Sequence, residues 1–207
     1  AYARVFGTVT PTYLFGPCAT GVYEIPAAYT NVKAVYTNTA PVDAYRGAGR
    51  PEATYTIERL VEKASMELGI DKTELRIKNF PTAFPFKQTL VHTVDSGDYV
   101  AGMEKAKQMA DYKGFEARRR ESEAKGKLRG IGVTSYFEAC GIAPSAAVMS
   151  LGCGVGLWES AEVRFNPTGQ VTVYTGSHSH GQSHQTTFAQ IAADELGVPI
   201  ENIDIVH

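Results

Sequence analysis

The stretch AEVRFNPTGQVTVYTGSHSHGQSHQTTFAQIAADELG, residues 161–197, holds the change of structure on which the fold turns. Ala161 to Phe165 and Gln170 to Thr175 are β-prone runs, and Asn166, Pro167, Thr168 and Gly169 between them supply turn chemistry, so the pair predicts an antiparallel hairpin. The second run opens into a polar loop, Gly176 to Gln185. Beyond it, Phe188, Ile191, Ala192 and Leu196 recur at helical spacing over Thr186 to Leu196, and Gly197 and Pro199 stop the pattern. Strand, polar loop and helix in that order predict a mixed fold of strands and helices, with a polar loop at the strand-to-helix junction.

Working toward the N-terminus, Arg129 to Phe137 reads as a strand. Asp95 to Lys125 reads as a helical region with Tyr99, Met103, Ala106, Met109 and Ala110 as its apolar stripe. The run Arg118 to Arg120 alternates with Glu116, Glu121 and Glu123 and is expected to be a solvated helix end. Ile57, Leu60, Val61, Ala64 and Leu68 mark one amphipathic helix over Pro51 to Gly69, with Glu58, Arg59, Glu62 and Lys63 on its polar side. Asp71 with Glu74 three residues on resembles a helix cap and starts a short helix through Lys78. The first forty residues read as strands and loops without a helix, with Tyr2 to Val9 and Val32 to Tyr36 as the strands. A domain boundary is expected between Pro81 and Ser96.

The chain has 207 residues, 43% of them hydrophobic, enough for a real core. Its 20 Lys and Arg against 22 Asp and Glu create no global field to recruit nucleic acid or an anionic membrane, so any anion must be held locally. The apolar runs are too short for a membrane span, and the opening residues lack a leader pattern, so a cytoplasmic location is expected. Cys18, Cys140 and Cys153 are odd in number and lack CxxC spacing, which argues against a disulfide framework or a cysteine metal site and for buried thiols.

Two clusters carry the chemistry. Gly176-Ser-His-Ser-His-Gly-Gln-Ser-His-Gln-Thr-Thr187 sets glycines, hydroxyls and an amide where helix N–H groups and the helix dipole favour an anion, although many such junctions are merely capped turns. His178, His180 and His184 are spaced to offer three imidazole ligands, but no carboxylate or cysteine accompanies them before Asp194, and hydrogen bonding in a polar loop is the favoured role. Ala44-Tyr-Arg-Gly-Ala-Gly-Arg-Pro-Glu-Ala53 is a glycine-rich turn that carries Arg46 and Arg50 into a helix, with Pro51 suited to the first helical turn. Two guanidinium groups oppose the dipole there, so they face either a ligand oxygen or an acid of the chain, Glu52 or a distant one.

At these two clusters the chain resembles the molybdenum-cofactor-binding large subunits of the xanthine dehydrogenase and aerobic carbon monoxide dehydrogenase family. The residues that carry the resemblance are Ala44 to Ala53 with the following helix and Glu74-Leu-Arg-Ile-Lys-Asn79, then Gly181-Gln182 before His184-Gln-Thr-Thr, Gln190 and Glu195-Leu-Gly-Val-Pro199. The resemblance covers essentially the whole chain, read as an internal fragment, and implies an α+β fold with parts of two cofactor-binding domains, residues 1–90 and 91–207. It implies molybdenum held by a pterin dithiolene, with no metal ligand from protein side chains, and the pterin as a cytosine dinucleotide. A small molecule such as an aldehyde or N-heterocycle would be oxidised with oxygen from water. Electrons would leave through an iron-sulfur subunit to a FAD subunit, in an oligomer of heterotrimers. Gly181, Gln182, Ser183, His184 and Thr186 would hold the cofactor or its phosphates. Arg46, Gly47, Ala48 and Gly49 would line the substrate side, Arg46 polarising a substrate oxygen.

Two positions depart from the family pattern. Carbon monoxide dehydrogenases proper carry a copper-holding cysteine where Gly47 stands, and the cofactor loop tends to have glycine where Ser183 stands. The resemblance also implies that the general-base glutamate lies outside this chain, with Glu138 read as an ordinary hydrogen-bonded or exposed residue. The alternatives kept open are a true carbon monoxide dehydrogenase large subunit and a non-catalytic module that binds partners.

Overall fold

The computed structural model describes residues 7–41, 43–138, 145–150 and 158–207. Cys140, Cys153 and most of the expected strand at Tyr2 to Val9 lie outside them. The chain packs as two compact units, Ala1–Glu138 and Ala139–His207.

In the first unit, helix α1 spans Arg50–Leu68 with Pro51 in its first turn and Gly69 closing it in a left-handed conformation, as the sequence pattern predicts. Helix α2, Lys72–Lys78, is capped by Asp71, whose carboxylate accepts from the amides of Thr73 and Glu74. A two-residue ladder follows, β1 (Phe86–Lys87) against β2 (Thr93–Val94). The region expected as one helix is divided into α3 (Tyr99–Met109) and α4 (Phe115–Ala124) by a short 3-10 turn, where Asp111 takes a left-handed conformation. Arg119 pairs with Glu116 at 2.6 Å and also with Glu123 on the outside of α4.

Three expectations are corrected. The opening forty residues contain helical turns, Thr10–Leu14 and Gly16–Cys18, and Val32 to Tyr36 forms no ladder. Residues 129–137 likewise pair with no described strand, because they are spent on packing: Val133 and Phe137 lie on the core of Val22, Tyr23, Ile57, Phe80 and Met103. The buried face of α1 is also rotated from the predicted stripe. Ala53, Ile57, Glu58 and Ser65 are buried, whereas Leu60 and Leu68 are exposed.

Burial of Glu58 has a physical explanation eighteen residues on. Arg76, 0% exposed, donates from Nε to Glu58 Oε2 at 2.8 Å and from Nη1 to the Lys72 carbonyl at 2.8 Å, while the Tyr23 hydroxyl donates to Glu58 Oε1. Burial, followed by its bond to Glu58, pushes the Tyr23 phenol far above its usual range. The pair is satisfied, which is the condition for keeping a charge inside.

In the second unit, β3 (Ala161–Phe165) and β4 (Val171–Thr175) form the predicted antiparallel hairpin. Helix α6 (His184–Leu196) begins two residues earlier than predicted and leads to β5 (Ile203–Val206), which pairs with β4 in parallel. The β4-α6-β5 crossover buries Val171, Val173, Ala189 and Ile203. A short helix, α5, spans Ser145–Ser150. The mixture of helices and short sheets is the α+β fold expected. Among the described residues no helix is long and apolar enough to cross a membrane.

Candidate functional site

The glycine-rich turn before α1 is fixed from three sides. Gly47 and Gly49 both have positive φ, 77° and 86°, where a residue with a Cβ is disfavoured. A Cβ on Gly49 would lie 2.5 Å from Leu14 Cβ and 2.6 Å from the Thr10 carbonyl oxygen, so the turn rests directly on the Thr10–Leu14 helical turn. A Cβ on Gly47 would meet Glu138 Oε2 at 3.1 Å and Pro51 Cδ at 3.3 Å. Backbone bonds from Ala48 N to Tyr45 O (2.9 Å) and from Arg50 N to Gly47 O (3.0 Å) close the turn.

The two arginines of this turn separate. Arg46 is exposed, its guanidinium 5.5 Å from the centre of the Tyr45 ring. Arg50 turns inward, donates to the Ala48 carbonyl at 3.1 Å and pairs with Glu138 at 3.4 Å. The distant acid is therefore Glu138, for which the sequence offered no local signal. Glu138 was expected to be an ordinary hydrogen-bonded or exposed residue. It pairs with no described strand and places its carboxylate against Gly47.

Beneath the turn, Cys18 is buried with its sulfur 3.4 Å from His92 Nε2. Burial pushes the Cys18 thiol up, against the opposing pull of the Arg50 charge. Burial and then the Arg50 charge hold His92 below the usual imidazole value. Both stay neutral at ordinary pH, a thiol and an imidazole in the field of the Arg50 guanidinium.

The second loop joins β4 to α6. Gly181 has φ 98° and Ser183, the residue before α6, has φ 60°, so both flank Gln182 in left-handed backbone. Ser183 makes no side-chain cap, which leaves the start of a thirteen-residue helix to whatever meets its amides. The Gln182 carbonyl oxygen accepts from His180 N at 2.5 Å, folding the side chain back over the loop and leaving the amide N–H groups as its donors. His184 Nδ1 lies 3.0 Å from the Ser177 carbonyl, and its ring stacks on Phe188. Thr186 sits exposed in the first turn, its amide bonded to Ser183 O.

The histidines cluster differently from the spacing that suggested three ligands. His178 lies ring to ring with His180 (4.9 Å) and with His207 (5.0 Å), while His184 is bonded to Ser177. Among the described residues no group of three or more His, Cys, Asp or Glu side chains is placed to hold a metal. The residues present do suit an anionic group. An uncapped helix start, the left-handed backbone around Gln182 and the Gln182 amide group offer donors at the end of the loop nearest α6, while the Glu159 carboxylate accepts from the Ser177 hydroxyl at its other end.

Comparisons with known proteins agree in kind. Molybdopterin cofactor-binding domain models match residues 1–80 and 105–207. The chain is 42% identical over 205 residues to the carbon monoxide dehydrogenase large chain of Hydrogenophaga pseudoflava, covering 96% of this chain and 25% of that protein. It is 33% identical to the nicotine 6-hydroxylase large subunit of Paenarthrobacter nicotinovorans, covering 90% and 23%. Among solved structures it superposes on quinoline 2-oxidoreductase from Pseudomonas putida 86 with a TM-score of 0.81 and 37% identity, covering 95% and 25%. The chain thus spans about a quarter of the length of the curated relatives it matches.

Proposed function

Since the chain belongs to the molybdopterin cofactor-binding domain family, we propose that it serves as part of the catalytic large subunit of a molybdenum hydroxylase that oxidises an aldehyde or N-heterocycle with water as the oxygen source. What carries the reading is that both matched segments contain a loop built for polar ligands, the Gly47 to Gly49 turn in one and the Gly181 to Ser183 loop in the other. The matched segments also support two domains divided near residue 90, between residues 80 and 105.

When bound, a molybdenum-pterin group supplies the two-electron redox centre. The chain's own residues bind and orient. Gly181 and Ser183 keep backbone amides open at the start of α6, and Gln182, with His184 and Thr186 beside it, offers donors to a pterin or its phosphates. The pterin would be the cytosine dinucleotide form. On the other loop, Arg46 stands exposed on the turn made by Gly47, Ala48 and Gly49 and presents its charge to a substrate oxygen that gains electron density during oxidation. Iron-sulfur and FAD subunits would complete the electron path, in an oligomer of heterotrimers in the cytoplasm.

The 42% identity to a carbon monoxide dehydrogenase large chain favours a second reading, oxidation of carbon monoxide. Against it stands Gly47, which offers no side chain to ligate a second metal and has Glu138 over its Cα. The decisive assay is turnover of the native complex on aldehydes and N-heterocycles in 18O-labelled water. Product oxygen carrying the label supports the hydroxylase. Turnover of carbon monoxide in preference to every organic substrate would favour the second reading.

A further inference from the structure

The Arg50–Glu138 pair lies outside both groups of residues assigned to ligand binding, yet it touches the glycine turn at two points. Arg50 Nη1 donates to Ala48 O at 3.1 Å, and its Nε lies 3.4 Å from Glu138 Oε1. The second carboxylate oxygen stands where a side chain on Gly47 would begin, 3.1 Å from that Cβ position. The pair is substantially shielded, the Arg50 side chain 13% and the Glu138 side chain 35% exposed. A guanidinium held between a carboxylate and a carbonyl keeps a fixed fork geometry, which a flexible ammonium would not.

We propose that Glu138 is a positioning residue for the Arg46 turn: through Arg50 it clamps the Ala48 carbonyl, and with its free oxygen it closes the space above Gly47, fixing the direction in which Arg46 is presented. The inference rests on the reading of this turn as the substrate side of a molybdenum hydroxylase. Glu138 acts through backbone geometry and not by proton transfer. One carboxylate oxygen pairs with Arg50 and the other faces Gly47.

The test uses the native complex carrying Glu138→Gln, which keeps size and loses charge. Amide hydrogen exchange, read by mass spectrometry, is expected to run about tenfold faster in the peptide covering 44–53 and to stay unchanged in the peptide covering 176–187. Molybdenum content should match wild type. With whichever substrate the native complex oxidises, kcat should fall about tenfold with KM within about twofold, because aim is lost and binding is not. Glu138→Asp should restore part of the rate. Arg50→Lys, which keeps charge and loses the fork, should reproduce the exchange result and serves if Glu138→Gln does not accumulate. Wild-type exchange in 44–53, or wild-type kcat beside a loosened turn, would overturn the proposal. Absence of molybdenum from the wild-type complex would instead overturn the reading on which it rests.

Discussion

Gly49 packs against Leu14 so closely that a Cβ on the glycine would lie 2.5 Å from the leucine Cβ and 2.6 Å from its carbonyl carbon. The contact joins the start of α1 to a helical turn thirty-five positions upstream, and it works only because residue 49 has no side chain. Gly49→Ala should therefore cost both a left-handed conformation, ~1–2 kcal/mol, and overpacking against backbone, ~1–3 kcal/mol. Gly47→Ala meets a softer neighbour, the Glu138 carboxylate, and should cost about the conformational part alone. Denaturant midpoints of the two variants check the order, Gly49→Ala the weaker.

Glu58 and Arg76 form a buried pair whose halves depend on each other. Arg76→Met leaves a carboxylate inside without its cation and should destabilise by ~3–5 kcal/mol. The double variant Glu58→Leu with Arg76→Met should cost far less than the sum of the two single changes, which a double-mutant cycle in urea measures directly.

How far the sequence led is visible at these same residues. Helices α1, α2 and α6 and the β3–β4 hairpin were legible because their signals are local: Pro51 and Gly69, the Asp71 cap, the Asn166 to Gly169 turn and the Phe188-Ile191-Ala192 stripe. Glu58 was placed on the polar side of α1 because its partner Arg76 belongs to another helix. Strand β5 escaped notice because it is short and gains its ladder only from the non-local β4. Residues 129–137 have strand composition but spend it on side-chain packing, and Glu138 finds its role only against Arg50. The binding loops could be recognised from their glycines. The support beneath the first of them could not, since Cys18, His92 and Glu138 come from three separated segments.

His92 gives the account a pH dependence. Its folded-state pKa is depressed, by burial first and by Arg50 second, so the unfolded chain takes up the proton more readily than the folded one. The stability it contributes is complete above the unfolded value of about 6.5 and is lost as pH falls toward the folded one. Unfolding midpoints should drop through this window in wild type and drop less in His92→Gln. In an NMR titration, the His92 imidazole should protonate below the usual histidine range.

Ser183 holds φ 60° without using its hydroxyl as a cap. Ser183→Gly should relieve about 1 kcal/mol of backbone strain, less the unfolded-state entropy that glycine adds. The expected result is a thermal midpoint equal to or slightly above wild type with unchanged cofactor content. A clear loss of cofactor would show that the hydroxyl itself is a ligand.

The central claim is that the chain is part of a subunit that binds a molybdenum-pterin group, and elemental analysis by plasma mass spectrometry, with pterin release, on the native protein and its accompanying subunits tests it most directly. Near-stoichiometric molybdenum and pterin without copper is the predicted result. Absence of both molybdenum and pterin from an intact, folded complex would contradict it.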